Sequence, residues 1–143
     1  MLGFIYSVVA GIFMSIQGVF DTRLSEKMGL WETNTLVQGV GFIITLIIMF
    51  FAGEGSIKNI TSANKLYLLA APLGVGITFT VMCGIGKLGP AYATSAILIA
   101  QLLFSGLIEA FGLFGTEKTQ FGITKILGFI ILIVGILVFK WEK

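Results

Sequence analysis

The chain has 143 residues, 57% of them hydrophobic and only 11% charged, with a mean hydropathy of +1.04 and a formal net charge of +2. An ordinary soluble domain carries roughly 25% charged residues, so a water-facing surface cannot be built from this set, and the small net charge without a basic cluster excludes a nucleic-acid partner. There is no His, and Cys83 is the single cysteine, which excludes intrachain disulfides and Cys/His metal sites.

A membrane-crossing helix needs about 20 largely apolar residues. Five such stretches follow one another: 2–20, 30–52, 66–86, 91–114 and 123–139. They are too long and too continuous for barrel strands, which alternate over about ten residues, and helices satisfy their own backbone in lipid. The expected fold is an all-α integral membrane protein, one transmembrane domain over 1–143. Its first stretch has no Lys or Arg ahead of it and no cleavage pattern behind it, so it reads as a span and not as a removed signal.

In chain order, the first span carries Tyr6, Met14, Gln17 and Asp21 on one face and the small residues Ser7, Gly11, Ser15 and Gly18 on another. The second gathers Asn34, Gln38, Gly41 and Thr45 within about 60° of helix. The third aligns Gly76, Thr80, Cys83 and Lys87, with Lys87 placed to snorkel to the surface. The fourth gathers Thr94, Gln101, Ser105 and Glu109 within about 80°. The fifth is apolar apart from the line Thr124, Gly128 and Gly135, and reads as a packing or dimer helix. The connections hold most of the charge: Asp21–Lys27, Gly53–Lys65, Lys87–Pro90 and Gly115–Gln120. Trp31 and Trp141 stand at span ends, where indole rings favour the headgroup layer.

Five spans put the termini on opposite sides. One side then holds Lys58, Lys65, Lys118 and Lys125, and the other Arg23, Lys27, Lys87, Lys140 and Lys143. Orientation follows asymmetry in these counts, and four against five is no asymmetry. The expectation is insertion both ways and pairing as an antiparallel homodimer, which also supplies the inverted repeat common in transporters.

No catalytic constellation is visible, which argues against an enzyme, and no metal or cofactor is implied. Polar groups in a bilayer are costly and tend to face an interior or a cavity. Gln17, Asn34, Gln38, Gln101, Ser105 and Glu109 are therefore the candidate substrate-binding residues, with Glu109 the candidate for proton coupling. The rival reading of such groups is hydrogen bonding between helices, roughly 0.6–2 kcal/mol each.

Two segments carry a family resemblance. Gln17-Gly-Val-Phe-Asp21-Thr-Arg-Leu24 is similar to a first-helix pattern of Gln, Asn four residues later, then Leu. Gln101-Leu-Leu-Phe-Ser105-Gly-Leu-Ile-Glu109-Ala-Phe-Gly112-Leu-Phe-Gly115 is similar to a fourth-helix pattern of Gln, Ser, an acidic residue, then Phe-Gly-Leu-Phe-Gly. Over nearly its whole length the chain resembles a small five-helix family of inner-membrane exporters in the drug/metabolite transporter superfamily, related to the small multidrug resistance proteins. Asp21 departs from the usual Asn, Glu109 from the usual Asp, and Ala110 from a common His, which weakens any proton relay through that position. The resemblance implies a bacterial inner-membrane, multi-pass protein that transports a small molecule as an antiparallel dimer. Residues and resemblance together suggest a secondary transporter exporting a small amphipathic or weakly cationic solute, its partners being membrane lipid, the solute and a second copy. The alternatives are a dual-topology ion channel and a non-transporting assembly protein.

Overall fold

A computed structural model describes residues 1–119 and 122–141. Gln120, at the end of the fourth connection, and Lys143, one of the counted cations, lie outside the described residues. Among those described there are five α-helices and no strand: α1 Leu2–Met28, α2 Leu30–Ala52, α3 Ala70–Leu88, α4 Pro90–Phe111 and α5 Ile123–Trp141. Short 3-10 turns occupy Ile57–Thr61, Lys65–Leu69 and Leu113–Gly115. The chain divides into two compact units, Met1–Lys87 and Leu88–Lys143.

Four helical segments are long and apolar enough to cross a membrane: Leu2–Met28, Leu30–Ala52, Lys65–Leu88 and Pro90–Phe111. The apolar part of α5, Ile123–Phe139, is shorter; at 1.5 Å per residue it spans about 25 Å, the lower end of what a bilayer core requires.

Helix ends differ from the apolar boundaries for a local reason. The Asp21–Lys27 segment, read from its charges as a connection, is the last two turns of α1. Arg, Glu and Lys are good helix formers, and Arg23 pairs with Glu26 one turn on, at 3.2 Å. What stops α1 is Gly29, at φ 102° and ψ 158°, a region that essentially only glycine enters. Gly89 does the same ahead of α4, at φ 78° and ψ 159°, and is followed by Pro90 at the first helical position. α4 ends at Phe111 and not at 114, because Gly112 takes the left-handed conformation that closes helices.

Burial is reversed from that of a soluble protein. The buried apolar side chains among the described residues are Met82, Ile85 and Ala93, whereas Asp21, Thr22, Thr33 and Asn34 are buried polar ones. Large apolar side chains such as Phe42, Ile48, Phe50 and Ile131 point outward. This is the arrangement hydrocarbon favours, since lipid is as apolar as Leu and isolated polar groups are costly in it.

Five hydroxyls are satisfied by their own helices: Ser7, Thr22, Thr45, Thr78 and Thr80 each donate to the carbonyl of a glycine four residues back, at 2.7–3.1 Å. A hydroxyl bonded this way costs little in lipid. Thr45 and Thr80 therefore need no cavity to explain them. Gly29 and Thr33 repeat the spacing, yet Thr33 Oγ1 has no partner among the described residues, nor does Asn34 Oδ1.

Candidate functional site

In the first unit, polar side chains hold helices together. Asn34, 2% exposed, donates from Nδ2 to the Val75 carbonyl at 2.9 Å. Gln38 Nε2 donates to Thr78 Oγ1 at 3.3 Å. Trp31, expected as an interface anchor, also stacks on Phe79 with ring centroids 4.6 Å apart. All three contacts join α2 to α3. On α1, Gln17 is bonded to the Asp21 carboxylate. A Cβ on Gly18 would lie 2.8 Å from Ile85 Cδ1 and 3.1 Å from Val81 Cγ1, so glycine at 18 is what lets α3 approach α1.

Asn34 thus does the work of a strut. Asn34→Leu is expected to lower stability to unfolding by about 0.6–2 kcal/mol, read from denaturant titration in detergent. A raised KM with unchanged stability would return Asn34 to the substrate site.

The second unit holds a cavity of about 310 Å³ between α4 and α5. α4 contributes Leu102, Ser105, Gly106 and Glu109, and α5 contributes Lys125, Gly128, Phe129 and Leu132. Each set has the spacing 0, 3, 4, 7, one face of a helix. Each face contributes one glycine to the lining, Gly106 and Gly128. No heavy atom lies within 4 Å of a Cβ built on Gly128, so there the missing side chain leaves space instead of a backbone contact. α5, expected to be a packing helix, is in this respect a cavity wall.

One end of the cavity is charged. Lys125 Nζ donates to Glu109 Oε2 at 2.9 Å and to Thr119 Oγ1 at 3.2 Å, and the Thr119 hydroxyl donates to the same Glu109 Oε2 at 3.1 Å. The Thr119 backbone N–H also reaches the Glu109 carbonyl, at 3.1 Å, folding the connection back onto the end of α4. Seven residues of helix, about 10 Å, separate this end from Leu102. The cavity therefore has a polar end with a carboxylate, an ammonium and two hydroxyls, and an apolar end lined by Leu102, Phe129 and Leu132. That shape and volume suit a small amphipathic molecule.

A larger hollow of about 480 Å³ runs along Leu69, Pro72, Leu73, Gly76, Ile77 and Thr80. Its one polar side chain, Thr80, already donates to Gly76 and Ile77 carbonyls. It offers a ligand no orienting group, so the α4–α5 cavity is the candidate site despite being smaller.

Of the six candidate residues, the structure brings Ser105 and Glu109 together in this cavity. Gln101 is exposed on α4 outside its lining. Gln17, Asn34 and Gln38 stand in the first unit, where Asn34 and Gln38 bridge helices. Sequence reasoning missed Lys125 as a site residue, counting it only among the cations of one side. The usable signal was the 125, 128, 129, 132 spacing, which copies that of 102, 105, 106, 109.

A family model described as "Putative inner membrane exporter, YdcZ" matches residues 2–138. No match is found among curated proteins or among solved structures.

Proposed function

We propose, from the premise that this chain belongs to the YdcZ family of inner membrane exporters, that it is a secondary transporter exporting a small amphipathic or weakly cationic solute by alternating access, as an antiparallel homodimer. The protein is a multi-pass protein of the inner membrane, and its α-helices and outward apolar surface agree with that location. The observation that carries the reading is the α4–α5 cavity, in which a carboxylate stands at one end of an apolar lining.

Glu109 meets the cationic head, Ser105 supplies a hydroxyl beside it, and the apolar tail lies against Leu102, Phe129 and Leu132. Gln101 is an exposed amide on α4 that extends the polar wall as the carrier opens, and Gln17 and Gln38 are exposed amides of the first unit. Asn34 contributes by holding α2 to α3. Inverted pairing would let two protomers exchange conformations, so that one open state becomes the other.

The test is efflux of benzyltrimethylammonium from proteoliposomes containing the purified full-length protein. Saturable efflux, accelerated by the same cation on the far side, is the expected result. Conductance that never saturates would make the protein a channel, and absence of any flux would make it an assembly protein.

A further inference from the structure

The cation that Glu109 would receive from a substrate is already present in the protein. The Lys125 ammonium sits 2.9 Å from Oε2, at the charged end of the cavity, where a substrate head would have to bind. Glu109 and Lys125 are the charged side chains lining the cavity. The connection adds the Thr119 hydroxyl, with Lys118 packed beside Gly112. Three features make Lys125 a removable occupant. Lysine is a point charge on a flexible four-carbon stem, without the fixed two-pronged grip of arginine. It leaves from the first turn of α5, the end of the helix from which such a stem reaches headgroup water. And the side chain is already about 40% exposed.

The consequence is electrostatic. Glu109 is about 47% exposed here and bears its charge while it faces water, but an unpaired carboxylate carried away from water is costly, so a carrier with Glu109 alone would need a proton or a substrate cation on it before turning. With Lys125 the pocket is neutral when empty, and with Lys125 swung outward it is neutral when loaded. We propose that Lys125 is a tethered stand-in for the substrate cation: it neutralises Glu109 in the empty pocket, is displaced by a solute with a cationic head and apolar tail, and so lets the empty carrier return without a proton. This rests on the transporter reading above. Glu109 would then couple to protons, as the sequence suggests it could, only once Lys125 is removed.

The test uses full-length protein in lipid nanodiscs for binding and in proteoliposomes for flux, with benzyltrimethylammonium as probe because it carries no titratable proton. A competitor that closes the site about nine-tenths of the time weakens apparent affinity about tenfold. Lys125→Met is therefore expected to bind the probe about tenfold more tightly than wild type, and its turnover to become dependent on a pH gradient that wild-type turnover ignores. Glu109→Gln is expected to lose at least about tenfold in binding. On unmodified protein, saturating probe should raise the rate at which acetic anhydride acylates Lys125, measured by mass spectrometry. Binding by Lys125→Met no tighter than wild type, or acylation of Lys125 that falls or stays level on loading, overturns the stand-in role; if Glu109→Gln still loses binding, the transporter reading survives it. Wild-type affinity in Glu109→Gln, or no binding by wild type, overturns both.

Discussion

Gly128→Leu is expected to reduce benzyltrimethylammonium efflux to that of protein-free liposomes while leaving the protein folded. Gly128 lies on the α5 wall of the cavity, whose α4 wall includes Ser105 and Gly106. Its missing Cβ faces open space, with nothing within 4 Å. A leucine there enters a void, so it adds apolar contacts and costs none of the overpacking that small-to-large changes usually bring. The recess between Glu109 and Leu132 is then filled by protein, and an apolar tail has nowhere to go. Gly18→Leu is the informative contrast. Its Cβ would fall 2.8 Å from Ile85 Cδ1 and 3.1 Å from Val81 Cγ1, so the same change is expected to destabilise by about 1–3 kcal/mol. One leucine stops transport in a stable protein and the other loosens the protein itself. Melting curves and efflux rates on the same two preparations separate them. Efflux at the wild-type rate in Gly128→Leu would remove the α4–α5 cavity from the transport path.

The membrane class and the spans were legible in the sequence because they depend on composition over windows of about 20 residues, which no tertiary contact alters. The helix ends were less so. Charge marks where a helix leaves hydrocarbon, but α1 runs on to Met28 because Asp21 to Lys27 contains nothing that breaks a helix. The true stops, Gly29, Gly89 and Gly112, are set apart from the glycines inside the helices by positive φ, and in the sequence only the Pro90 after Gly89 marks one of them. Half of the cavity was visible for a related reason. Ser105 and Glu109 are polar on a periodic face, and polarity inside a span is a strong signal. The α5 half is glycine, phenylalanine and leucine beside one lysine near a helix start, a pattern identical to ordinary lipid-facing or packing surface until α4 is set against it. Asn34 shows the converse: its polarity was conspicuous, but a single bond to the Val75 carbonyl accounts for its amide nitrogen. That its Oδ1 and the Thr33 hydroxyl have no partner among the described residues could not be read from spacing at all, since five other glycine–hydroxyl pairs of the same spacing are satisfied.

Breaking the balance of positive charge is expected to abolish transport by either of two oppositely biased variants alone and to restore it when both share one membrane. The four-against-five count survives the ion pairs found in the structure, because Arg23 on Glu26 and Lys125 on Glu109 are still cations, and orientation responds to Lys and Arg with little weight for acidic partners. Lys58→Gln with Lys65→Gln leaves two against five. Gly55→Lys and Ala63→Lys with Lys87→Gln gives six against four. The sites tolerate the changes: a Cβ on Gly55 meets nothing within 4 Å, and Lys58, Ala63, Lys65 and Lys87 are all exposed. None of these residues lines the α4–α5 cavity, so loss of flux cannot be assigned to damage there. Each variant inserted one way would lack its inverted partner, and the pair together would rebuild it. Reporters fused to the C-terminus, one active only inside and one only outside, confirm the bias. Full efflux from either variant alone, with its C-terminus on one side only, would mean that antiparallel pairing is not how this chain transports, and that the cavity of a single orientation suffices.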